Sequence, residues 1–188
     1  MKQGDLLLIT DMQNVYKAGH KWACLNTCEC ALNINSIIKE YISSCNQKNV
    51  IFTKYIASSD PHGVWKDYNI KYKEINDSPY ENDLVDELKE VAVSFDIYTK
   101  DVYSSLAVPE VLDRCRKAKR VIITGVVAEC CVLSTVLALI DEGIYTVYLT
   151  DAVSGLDTPK EEATKLILSG LSPLHVLMKT TQEYLNEH

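Results

Sequence analysis

The residues best suited to chemistry gather in 121–135, VIITGVVAECCVLST, where an apolar run meets a glycine and then two adjacent cysteines. Val121, Ile122 and Ile123 read as a strand buried on both faces, because a short unbroken apolar run leaves no side for water. Gly125 permits a turn. Cys131, Leu133, Leu137 and Ile140 then fall near helical spacing, and Gly143 closes the element. A cysteine in the first turn of a helix lies among unpaired backbone N–H groups at the positive end of the dipole, which favours the thiolate and makes a nucleophile. The competing reading is that Cys130 and Cys131 are two small core residues.

A nucleophile needs a scaffold, and the remaining chain supplies strands alternating with helices. Asp5 to Thr10 reads as the first strand, with Asp11 just past its end, where a parallel sheet presents its chemistry. After a loop containing Tyr16, His20 and Trp22, apolar residues from Ala31 to Ser44 keep helical spacing, and Asn49 to Tyr55 reads as a second strand. Residues 57–80 are rich in turn formers and aromatics and too long for a simple connection, which suggests a lid or an oligomer contact. Asn82 to Glu90 reads as a short helix, Phe95 to Thr99 as a third strand leading to Lys100, and Val108 to Lys119 as a helix with Pro109 in its first turn. A fifth strand spans Ile144 to Thr150 and ends at Asp151. Thr158, as cap, and Pro159 start a helix to about Leu168, and Leu174 to Met178 makes a sixth strand before a polar tail ending in a short turn or helix. Such alternation specifies an α/β fold of three layers, a parallel six-stranded sheet with helices on both faces.

The composition excludes several classes of function. At 188 residues and 47% hydrophobic content, one domain over 1–188 with a sizeable core is expected. A formal charge of −7, with no long basic block, gives no affinity for nucleic acid or anionic membranes. No apolar run approaches the ~20 residues of a membrane span, and MKQGDLLLITD turns acidic too early for a signal peptide, so a cytoplasmic protein is expected. Seven cysteines, an odd number in a chain that is not small, fit reduced thiols better than a disulfide framework. Cys24, Cys28 and Cys30 lack a second ligand group at zinc-finger spacing and are placed on or near the first helix. The first strand leads into DMQNVY without the glycines of a dinucleotide-binding turn.

Gly125-Val126-Val127-Ala128-Glu129-Cys130-Cys131-Val132, followed by Thr135, resembles the nucleophile segment of the isochorismatase-like cysteine hydrolases, which include nicotinamidases and N-carbamoylsarcosine amidases. Leu6 to Asn14 resembles that family's opening strand and catalytic aspartate, and Tyr98-Thr99-Lys100 its catalytic lysine. The resemblance selects Cys131 over Cys130 and implies the doubly wound order 3-2-1-4-5-6, which makes Asp11 and Cys131 neighbours. Lys100 starts two strands away, roughly 10 Å at about 4.8 Å per strand, so its loop must curl inward. By the same resemblance Asp11 relays the proton, Lys100 favours the thiolate, and the backbone N–H groups of Val127 and Cys131 bind the oxyanion beside a cis Val126–Val127 peptide. Tyr16 and Trp65 are candidate pocket walls, and Tyr103 with Ser104 could line the mouth. The expected partner is a small-molecule substrate, with a homo-oligomer (dimer or tetramer) implied by the family.

The chain departs from the nicotinamidase pattern: the metal-binding Asp-x-His falls on Tyr55 and Ala57, and Asp60 with His62 is displaced. No metal or other cofactor is therefore expected. Keeping Cys131 points to C–N bond hydrolysis rather than the vinyl ether cleavage of isochorismatases proper. Two functions of another kind compete with hydrolysis: a non-catalytic binding or assembly module, and a thiol redox sensor using Cys130 and Cys131.

Overall fold

The computed structural model describes residues 4–44 and 46–187. The first three residues, Cys45 and His188 lie outside the described residues, and with them the opening of the N-terminal segment and one of the seven thiols. One six-stranded parallel sheet runs in the order β3-β2-β1-β4-β5-β6. Its strands are β1 (Asp5–Thr10), β2 (Val50–Tyr55), β3 (Asp96–Lys100), β4 (Arg120–Val126), β5 (Thr146–Ser154) and β6 (Val176–Lys179). This is the doubly wound order that the family resemblance implies.

Alternation along each strand builds two cores. Leu7, Ile9, Phe52 and Ile122 point to one face, against α1 (Thr27–Ser43), α5 (Asp86–Ala92) and α9 (Thr181–Leu185). Leu6, Leu8, Ile51, Val121 and Ile123 point to the other, against α6 (Pro109–Lys117), α7 (Leu133–Asp141) and α8 (Thr158–Ser169). Every residue of β1 is buried, including Asp5, whose carboxylate accepts from Arg120 Nε at 2.9 Å and Nη2 at 2.6 Å. A buried carboxylate persists only with such partners.

The sheet changes direction of winding between β1 and β4, where Thr10 lies beside Gly125. Gly125 has φ +104°, and a Cβ there would lie 2.0 Å from the Thr10 carbonyl oxygen. The glycine is thus required on two grounds, its left-handed backbone and the close approach of β1.

Several expected boundaries move. The first helix begins at Thr27 rather than Ala31, so Cys28 and Cys30 lie on it, Cys28 exposed and Cys30 buried. The helix expected over 82–90 runs from Asp86 to Ala92. The fifth strand continues past Asp151 to Ser154, because its end leaves β6 and pairs with β4 through Val153 and Ser154. Asp157, not Thr158, caps α8: its extended backbone lets its carboxylate accept from Lys160 N at 3.0 Å.

The segment 57–80 is not an open loop. It contains α2 (Trp65–Lys71) and the single turns α3 (Lys73–Asn76) and α4 (Pro79–Asn82). These turns carry little apolar periodicity, and α2 has no fully buried residue. Side-chain amides stitch them instead: Asn82 Nδ2 donates to Asn76 O at 2.8 Å and Asn76 Nδ2 to Asn69 O at 3.3 Å. Among the described residues no helix is long and apolar enough to cross a membrane.

Candidate active site

Asp11 is the first residue beyond β1 and takes φ +52°, a left-handed conformation rare for a side chain other than glycine. Its N–H still bonds to Thr53 O at 3.1 Å, so the turn is anchored to β2 while the carboxylate swings toward the end of the sheet. Gln13 locks the departing chain, donating to Tyr55 O and Asn82 O at 3.0 Å each and accepting from Tyr55 N at 2.8 Å.

Lys100 reaches the same carboxylate. No loop curls inward, contrary to the sequence expectation: Lys100 is the last residue of β3, paired with Tyr55, and its own long side chain crosses β2. Its Nζ donates to Asp11 Oδ2 at 2.6 Å and to Val102 O at 3.1 Å. Burial pulls the ammonium pKa down, but Asp11 and Cys131 outweigh it and the net shift is upward.

Cys131 completes the cluster. β4 ends at Val126, the Val126–Val127 peptide is cis, and residues Ala128–Val132 form a π-helical turn that leads into α7. Cys130 N and Val132 N both donate to Val127 O, at 3.1 Å each. Cys131 is 3% exposed, and the charges of Asp11 and Lys100 both act on its thiol. Burial and the Asp11 charge push its pKa up, and the opposing pull of Lys100 does not restore it. The resting group is therefore a thiol. The helix-terminus expectation of a ready thiolate gives way to burial, and deprotonation needs the neighbouring carboxylate as base.

A chain of hydroxyls that the sequence reading missed holds this cluster. Thr53 Oγ1 donates to Asp11 Oδ1 at 2.9 Å and lies 3.4 Å from Ser105 Oγ; Ser105 N donates to Thr135 Oγ1 at 3.0 Å, and Thr135 Oγ1 to Cys131 O at 2.7 Å. Thr53, Ser105 and Thr135 have no exposed surface. One signal was available: Thr53 is a hydroxyl in a strand otherwise apolar on its buried positions, VIFTKY.

The pocket candidates Trp65 and Tyr103 belong to a group of rings that reaches Lys100 through Tyr55, whose ring lies 5.9 Å from Nζ. Tyr16 is buried, and burial together with the Asp11 charge pushes its phenol pKa up. Trp65 packs edge-on against Tyr103 with centroids 5.0 Å apart, and Tyr103 is 38% exposed, at the rim. Ser104 turns away, its hydroxyl accepting from Leu106 N at 3.2 Å as a helix cap. Tyr55 and Tyr68 join the same wall and were not anticipated. A nicotinamidase-type metal does not fit: Tyr55 and Ala57 occupy the ligand positions, Asp60 and His62 are exposed, and no three His, Cys, Asp or Glu groups converge among the described residues.

A family model described as the Isochorismatase domain matches residues 5–174. A cysteine hydrolase from Pseudomonas syringae pv. phaseolicola has a similar structure, with TM-score 0.82 and 18% identity over 97% of this chain and 91% of that one. An isochorismatase family protein from Desulfovibrio vulgaris gives TM-score 0.82 and 15% identity over 98% of each chain. A nicotinamidase from Bacillus subtilis gives 0.74 and 16%, over 94% of this chain and 99% of that one. No curated protein matches by sequence.

Proposed function

The chain belongs to the isochorismatase family, and we propose that within it this protein is a cysteine-dependent hydrolase cleaving a C–N bond of a small amide, carbamoyl or ureido compound. One observation carries the proposal: Asp11, Lys100 and Cys131, far apart in the chain, gather where β1, β3 and β4 end, with Lys100 Nζ donating to Asp11 Oδ2 at 2.6 Å and both charges acting on the Cys131 thiol. A buried carboxylate, ammonium and thiol are costly to keep together, and nucleophilic catalysis gives them a use.

In the proposed cycle the Cys131 thiol proton passes to the Asp11 carboxylate as sulfur attacks the substrate carbonyl carbon. The carbonyl π pair moves to oxygen, which the N–H groups of Val127 and Cys131 receive. Collapse of this intermediate breaks the C–N bond, Asp11 returns the proton to nitrogen, and ammonia or an amine departs. Water then adds to the thioester, losing a proton to Asp11, and the C–S bond breaks to release the acid and regenerate the thiol. Lys100 keeps its charge throughout and holds Asp11 in place. The reading extends to one domain over 1–188, a cytoplasmic setting and a homo-oligomer.

Acid quenching during turnover, followed by peptide mass mapping, tests this cycle. An acyl adduct on Cys131, absent from Cys131→Ala, supports the proposal. Turnover that persists in Cys131→Ala without any adduct rejects it.

A further inference from the structure

Rings gather at the Lys100 end of the site. Trp65 lies 5.3 Å from Tyr68 and 6.1 Å from Tyr55 between centroids, and 5.0 Å from Tyr103. The Tyr55 ring is also 5.9 Å from Lys100 Nζ. Burial raises the phenol pKa of Tyr16, Tyr55, Tyr68 and Tyr103. The phenols therefore remain neutral, able to donate or accept one hydrogen bond but not to balance a charge.

The charges acting on this space are unfavourable to an anion. Lys100 is the cation that bears on Cys131 and Tyr103, and its ammonium already donates to Asp11 and Val102 O. Asp11 and Asp101 both bear on Tyr55. A carboxylate entering here loses its water, meets Asp101, and finds the Lys100 ammonium already engaged by Asp11 and Val102 O. The chain's charge of −7 opposes its approach as well. An uncharged amide loses far less: its flat face stacks on the rings, and its N–H and C=O pair with phenol hydroxyls.

Resting on the hydrolase reading, we propose that the site selects uncharged amide, carbamoyl or ureido substrates and excludes those bearing a carboxylate, with Tyr55, Trp65, Tyr68 and Tyr103 as the specificity-determining walls. Iodoacetamide and iodoacetate, nearly equal in size but differing in charge, test this without knowledge of the natural substrate. In both reactions the Cys131 sulfur forms a bond to the methylene carbon as the C–I bond breaks, iodide leaves with the pair, and the thiol proton passes to Asp11 or water. The ratio of the two rates at Cys131, read by peptide mass mapping, is compared with that of 2-mercaptoethanol, an uncharged thiol. A ratio in favour of iodoacetamide at least roughly tenfold above the reference is expected. A ratio equal to or below the reference overturns the proposal.

Tyr103→Arg, which sets a cation at the rim, should bring the ratio down severalfold, and an unchanged ratio counts against the proposal. Propionamide and succinamate, differing only in a carboxylate, separate the two levels of the account. Cys131-dependent hydrolysis of succinamate faster than propionamide removes the selectivity and leaves the hydrolase standing. Hydrolysis that survives Cys131→Ala removes the hydrolase. When neither compound is turned over, the alkylation ratio alone decides the selectivity.

Discussion

The Lys100 ammonium lies 2.6 Å from Asp11 Oδ2, and neither side chain has any exposed surface. Residues 89 positions apart are thereby fixed to each other across β2, which lies between their strands. Such a pair is held at a desolvation cost, so removing one member leaves the other charged and alone. Lys100→Met is accordingly expected to lower stability by about 3–5 kcal/mol in denaturant unfolding and to abolish turnover. A Lys100→Met protein as stable and active as the parent would contradict the role given to this pair.

Thr53→Val removes the hydroxyl that donates to Asp11 Oδ1 while keeping the shape of the side chain. Unfolding should show a loss of about 1–3 kcal/mol. Because the carboxylate loses one of two partners that aim it, kcat should fall by roughly tenfold with little change in KM. An unchanged kcat would assign Thr53 to packing alone.

Gly125→Ala brings a methyl group to 2.0 Å from the Thr10 carbonyl oxygen at φ +104°. Relief requires β1 and β4 to part where Asp11 and Cys131 are presented. The variant should fail to accumulate as folded protein, as judged by circular dichroism of the soluble fraction, and a stable, active variant would refute the required contact.

Stability should fall in alkali. Burial pushes the Cys30 and Cys115 thiols from 9.0 up to about 12 and raises Cys131 as well. The folded chain then holds protons that the unfolded chain releases. Their contribution is complete below 9.0 and is lost as pH climbs toward about 12. Denaturant midpoints measured across that window should decline, and Cys115→Val should flatten part of the decline. In acid the sign reverses. Hydrogen bonds from Arg120 and Lys179 overcome burial to hold the Glu187 carboxyl down at about 2, so its contribution is present above 4.5 and fades as pH falls toward about 2.

What the sequence disclosed followed from how strongly each residue's surroundings constrain it. β1 and β4 lie in the middle of a sheet covered on both faces, so their unbroken apolar runs announced them, and Asp11 and Gly125 stood out at their ends. Lys100 was found through resemblance, since nothing in Tyr98-Thr99-Lys100 distinguishes it from a surface lysine on an edge strand. The helical turns in 57–80 escaped because amide hydrogen bonds and ring contacts hold them, and neither leaves a period in the sequence. Thr53 and Ser105 escaped for a similar reason, since a single hydroxyl reads as a turn or surface residue until the fold places its partner, and Thr135 stood in the matched segment without a role.

Cys131, and not its neighbour Cys130, is the nucleophile proposed to attack a C–N bond. This assignment is tested most directly by ammonia release from a panel of small amides, carbamoyl and ureido compounds, measured for the parent protein, Cys131→Ala and Cys130→Ala. Turnover should survive in Cys130→Ala and disappear in Cys131→Ala. Turnover retained by Cys131→Ala, or lost in Cys130→Ala, would contradict it.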